Sequence, residues 1–90
     1  GDIIYCEAQN SYALFYLSNN EKILVSRPLK EYDELLSPRG FIRCHQTHLV
    51  NPRYIKSLLK EDGASLLLRN NTRIPVSKSK REFVKRSLAG

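Results

Sequence analysis

The chain has 90 residues, enough for one domain with a modest core and too few for two. Hydrophobic residues make up 41% and charged residues 27%, a globular composition that excludes intrinsic disorder. No run approaches the roughly 18 apolar residues a spanning helix requires, so no segment is expected to cross a membrane.

The net charge of +6 is unevenly spread, with −2 over residues 1–40 and +8 over residues 41–90. This asymmetry points to an anionic partner for the second half: nucleic acid first, acidic lipid second. The opening Asp2-Ile3-Ile4 lacks the basic start and long apolar stretch of a secretory signal. Cys6 and Cys44 form no spaced framework and read as free or buried thiols of a reduced, cytoplasmic domain.

In chain order, Ile3 to Glu7 and Tyr12 to Leu17 are β-rich runs flanking the turn-like Ala8-Gln9-Asn10-Ser11. Ser18-Asn19-Asn20-Glu21 is a turn whose asparagines tolerate left-handed backbone, and Lys22 to Ser26 is the next strand. The period then changes. Leu29, Tyr32, Leu35 and Leu36 recur at helical spacing, with Lys30, Glu31, Asp33 and Glu34 on the opposite side. Pro28 suits the first turn, and Ser37-Pro38-Arg39-Gly40 stops a short helix over about 28–37 whose stripe packs on the core.

Phe41-Ile42-Arg43 leads into Cys44-His45-Gln46-Thr47-His48, and Leu49-Val50 looks buried. Asn51-Pro52 marks a turn. Strands over Ile55 to Leu59 and Ser65 to Arg69 flank a hairpin signal centred on Asp62-Gly63. Asn70-Asn71 turns the chain into a last strand, Thr72 to Val76. Lys78 to Leu88 carries a weak stripe of Phe83, Val84 and Leu88, which predicts a C-terminal helical turn.

The segment from Cys44 to His48 admits three chemistries. Zinc wants three or four converging soft ligands, but the neighbours Cys44 and His45 point apart on regular backbone, and on a strand His45 and His48 face opposite ways. Cysteine catalysis needs an imidazole across from the thiol and a group that orients it, which sequence neighbours do not supply. The third reading is a loop, held by a rigid sheet, that offers Gln46 and Thr47 to DNA between Arg43 and Arg53. A glutamine can bond the N6 and N7 edge of adenine, while histidine and threonine suit phosphate oxygens.

The run Phe41-Ile42-Arg43-Cys44-His45-Gln46-Thr47-His48-Leu49-Val50-Asn51, followed by Ile55 and by Ile74-Pro75-Val76-Ser77-Lys78, resembles the LytTR-type DNA-binding domain. The upstream Leu29 to Leu36 helix stands in matching order, so the resemblance covers Asp2 to about Leu88. It implies a mainly β fold of small antiparallel sheets in an elongated arrangement, residues 1–90 forming one domain excised from a longer regulator. It further implies sequence-specific binding of double-stranded DNA, with loops and no recognition helix entering successive major grooves. Such domains usually form the output half of a two-component response regulator, behind an N-terminal receiver or sensor region. They bind paired direct repeats, where a second copy adds affinity by proximity. Catalysis, metal and cofactor are not expected.

Carried over by position, three segments would meet DNA: Asn10-Ser11-Tyr12, His45-Gln46-Thr47 with Gln46 reading a base, and Ser77-Lys78 with Lys80 and Arg81. Arg43 joins them as a flanking base. Family members often carry Arg or Asn at Gln46, Ser at Thr47, Phe at His48, Arg at Lys78 and a basic residue or His near Tyr12. These departures bear on the target sequence and not on the mode of binding.

Plainer roles compete at each position. Asn10 and Ser11 can simply shape a turn, Tyr12 can be a rim aromatic, and Arg43 can pair with Glu31 or Glu34. Asn51 is expected to bond backbone at the Asn-Pro turn, and His48 to be a surface strand residue. Lys78, Lys80 and Arg81 can be solubility charges. Two other function classes remain at this level. A basic RNA-binding or protein-interaction module would use Tyr5, Tyr12, Phe15 and Tyr16 as an exposed platform. A membrane-surface module would use Lys78 to Leu88, which has only three large apolar residues.

Overall fold

A computed structural model describes residues 2–61 and 63–89. The opening hairpin is β1 (Ile3–Gln9) and β2 (Tyr12–Leu17), reversed at Asn10 and Ser11. Asn10 supplies a φ of 57° there, a left-handed value that asparagine tolerates better than other L residues. Asn20, at φ 69°, does the same before β3 (Lys22–Val25), which pairs antiparallel with β2.

Helix α1 (Leu29–Leu36) follows, with Pro28 as its N-cap in extended conformation and not inside its first turn. A 3₁₀ turn at Ser37–Arg39 carries the expected stop, and Gly40 leaves it at φ 98°, where a side chain would be strained. Of the four stripe residues, Leu29 is buried and Tyr32 and Leu36 are half-buried, but Leu35 is 65% exposed. At 3.6 residues per turn Leu35 lies about 120° round the helix from the buried Leu29, so it falls on the outer side.

Strands β4 (Ile42–His45) and β5 (His48–Val50) form the next hairpin, and β5 pairs with β1, giving a five-stranded sheet of order β3-β2-β1-β5-β4. The Asn51-Pro52 signal becomes a 3₁₀ turn at Pro52–Tyr54. Asn51 accepts from the Arg53 amide and donates to the Ile3 carbonyl, the backbone role its position suggested. Strands β6 (Ile55–Leu59), β7 (Ala64–Leu68) and β8 (Arg73–Val76) form a three-stranded antiparallel sheet. In the β6–β7 turn Gly63 has φ 95°, while Asp62 lies outside the described residues. A 3₁₀ turn at Lys78–Lys80 runs into α2 (Arg81–Ala89), a full short helix where only a helical turn was expected.

The five-stranded sheet is covered on both sides, which explains the unbroken apolar run Ile3-Ile4-Tyr5-Cys6. One face packs Cys6, Ala13 and Leu49 against Leu29 of α1. The other packs Tyr5, Ile42, Cys44 and Val50 against Leu66, Leu68, Ile74 and Val76 of the second sheet, with Val84 of α2 closing the end. Both cysteines are free and buried. Extents of 32 × 25 × 25 Å make the elongation slight.

Candidate nucleic-acid interface

Pairing register places the polar segments. Glu7 lies opposite His48, and the next rung is the Ala8 amide donating to the Thr47 carbonyl at 2.8 Å. The β1–β2 turn at Asn10-Ser11 and the β4–β5 turn at Gln46-Thr47 therefore leave the same end of the sheet. The Ser77 amide donates to the Cys44 carbonyl at 2.9 Å, which brings the end of β8 alongside β4. As a result Asp33, Arg43, His45, Gln46, Ser77, Ser79 and Lys80 line one open cleft of about 500 Å³. Another open groove, about 610 Å³, lies between β6 and α2 and shares none of these residues.

Gln46 stands exposed at the tip of its turn, and among the described residues its carbonyl accepts from Arg43 while its side chain takes no partner. His45 and Thr47 are half-buried beside it. The Thr47 amide donates to His45 Nδ1 at 3.1 Å, so that nitrogen carries no proton and the neutral ring bears it on Nε2. Thr47 Oγ1 lies 2.8 Å from Nδ1 of both His45 and His48. Each contact has its own proton if His48 Nδ1–H donates to Oγ1 and Oγ1–H donates to His45 Nδ1, whose lone pair it shares with the Thr47 amide. His45 and His48 face each other across the hairpin, ring centroids 6.0 Å apart, and do not point opposite ways as an uninterrupted strand would have them. With 13% of its side chain exposed, His48 is more buried than a surface strand residue. Burial holds its pKa below the ordinary value, Glu7 opposes that shift and His45 adds to it.

Arg43 belongs to the interior of this arrangement. Its Nε donates to the His45 carbonyl at 3.0 Å, Nη2 to the Gln46 carbonyl at 2.6 Å and Nη1 to Asp33 Oδ2 at 3.0 Å. The acid is Asp33, one of the residues assigned to the solvent side of α1, and not Glu31 or Glu34. Only 20% of the Arg43 side chain is exposed.

The remaining basic residues divide. Lys80 is half-buried in the cleft, its Nζ 5.1 Å from the Phe83 ring centroid, and Lys78 is exposed between the lining residues Ser77 and Ser79. Arg81 turns away: it lines a separate depression with Leu58, Lys60 and Gly63, so the structure does not bring it to Gln46. Asn10, Ser11 and Tyr12 are all exposed, Tyr12 at 45%. Sequence reasoning missed Asp33, Ser79 and the exposed Ser26-Arg27. Those last two follow Val25, the register partner of Ala13, and so sit beside Tyr12. Counting rungs back from the Asn19-Asn20 turn could have found them; nothing local marked Asp33 or Ser79.

The aromatic platform does not exist. Cross-strand pairing puts Tyr5 and Tyr16 on one face, stacked at 4.2 Å, and Phe15 on the other, edge-on to Tyr32 at 4.8 Å. Both faces are covered, so only Tyr12 of the four is exposed. Of the stripe of the C-terminal segment only Val84 is buried; Phe83 and Leu88 stay 40% and 37% exposed. No described helix is long and apolar enough to cross a membrane. Among the described residues no three His, Cys, Asp or Glu side chains gather as a metal site; the Cys44 thiol points instead at the Pro75 carbonyl, 3.5 Å away.

The family model described as LytTr DNA-binding domain matches residues 1–89. The chain belongs to the LytTR family of DNA-binding domains. A solved LytTr DNA-binding domain, from a Bacillus cereus protein described as a methyl-accepting/DNA response regulator, superposes with a TM-score of 0.85 at 27% identity. The match covers 98% of this chain and 82% of that one. No curated protein sequence matches. The LytTR assignment and the mainly β architecture agree: small antiparallel sheets with two short helices.

Proposed function

We propose that this LytTR domain binds double-stranded DNA sequence-specifically as the cytoplasmic output module of a two-component transcription regulator. In this reading its turns enter successive major grooves at paired direct repeats. The observation that carries it is the convergence of Gln46, His45, Ser77 and Lys80 on one cleft, beside the Asn10–Tyr12 turn. Gln46 has a free amide at an exposed tip, suited to a base edge. The amide nitrogen–imidazole bond leaves His45 Nε2–H as a donor for a phosphate oxygen. Lys78 and Lys80 supply charge that displaces counterions, so affinity falls steeply with salt. Arg43 and Arg81, spent or turned elsewhere, are not assigned direct contacts.

Duplexes selected from a random pool test this by fluorescence anisotropy. Gln46→Ala should lower the preference for selected over scrambled DNA by about 5- to 150-fold, the worth of a bidentate base contact. Lys80→Ala should weaken all duplexes alike and reduce the salt slope by about 1. Unchanged binding in both variants would refute the assignment.

A further inference from the structure

A two-residue β-hairpin turn normally takes positive φ at one or both central residues, because only the primed turns match the twist of the strands. Gln46 and Thr47 have no positive φ, and the β4–β5 register slips between Ile42 and His45. Something other than backbone preference must therefore hold this turn. Arg43 is placed to do so: two arms of its guanidinium take the successive carbonyls of His45 and Gln46. The third arm reaches Asp33 of α1. Asp33 is oriented in turn, since the Ser37 hydroxyl at the end of α1 donates to its other oxygen.

We propose that Arg43 is a positioning residue, and that the chain Ser37–Asp33–Arg43 couples α1 to the shape of the Gln46 turn and hence to which base sequence is read. This rests on the DNA-binding reading of the cleft. It assigns the Arg43 fork to the turn rather than to a phosphate. All three nitrogens of its planar fork are engaged within the protein, and lysine, a point charge without the fork, cannot replace it. It also gives Asp33 a purpose. A carboxylate lining a DNA-facing cleft repels phosphate, yet here Arg43 compensates its charge at 3.0 Å.

The test uses Arg43→Lys and Asp33→Asn, with two readouts. In anisotropy titrations Arg43→Lys keeps the salt slope and loses preference for selected over scrambled duplex by about fivefold or more. Asp33→Asn removes a negative charge, so simple electrostatics would strengthen binding to every duplex; positioning instead lowers the preference, with scrambled DNA bound as well as before or better. Amide exchange of the free domain tests the staple without DNA: the Thr47 amide exchanges faster in both variants.

Retained preference in Arg43→Lys, a uniform gain for all duplexes in Asp33→Asn, or unchanged Thr47 exchange overturns the proposal. A wild-type domain that binds no duplex while Thr47 exchange still quickens supports the staple and overturns the DNA reading alone.

Discussion

Helix α2 is docked through Val84, its one fully buried residue, which meets the core between the two sheets. Val84→Ala deletes two methyl groups at 0% exposure, losing about 1.6 kcal/mol of transfer free energy, with a few tenths more for the space left behind. Alanine is the better helix former by roughly 0.5 kcal/mol, so the net loss is about 1.5 kcal/mol. For a domain of this size that lowers Tm by about 6–12 °C in a circular-dichroism melt. Lys85→Ala on the same helix is the control. Its 46% exposed side chain and 3.8 Å pairing with Glu82 should leave Tm nearly unchanged. The matter reaches beyond stability, because the Lys78–Lys80 turn that lines the cleft runs directly into this helix. A Val84→Ala loss below about 3 °C, or one no larger than that of Lys85→Ala, would refute the claim that α2 is anchored at this point.

Protonation and thiol chemistry supply two more expectations. Because burial depresses the pKa of His48 below 6.5, the unfolded chain takes up its proton first as the pH falls. Its contribution to stability is therefore complete above pH 6.5 and lost as the pH drops through the lower folded-state value. Urea midpoints should decline from pH 7.5 to 5, less so in His48→Phe, and equal slopes would sink the idea. Burial also pushes the thiols of Cys6 and Cys44 up to about 12. In native protein at pH 7.5 both should react with a disulfide reagent at least about a thousandfold slower than free cysteine, and readily once guanidinium unfolds the chain. A rapid phase in native protein would contradict their placement.

The resemblance in the sequence carried the site further than its local chemistry did. Gln46 sits at the centre of a recognisable run, and the fold makes it the exposed tip of a turn. Arg43, in the same run, looked equally suited to DNA. Nothing within ten residues says that its fork meets two carbonyls of its own hairpin and an acid on a preceding helix. Arg81 carries the same charge as Lys80 one position on, yet the start of α2 swings it toward Gly63.

What the sequence by itself determined is local. Asn10 and Asn20 mark left-handed turns, Gly40 ends the 3₁₀ extension of α1, and β-rich apolar runs predict strands close to those found. These outcomes depend on steric preferences of a few neighbouring residues, which the side chains state directly. Tertiary structure alone decided that both faces of the first sheet are covered, which buries Tyr5, half-buries Phe15 and removes the aromatic platform. It alone set the β1–β5 register and the Ser77–Cys44 bond that gather three distant segments at one end. Those contacts join residues more than 30 positions apart, where no local preference acts and only the mutual fit of sheets and helices selects the partner.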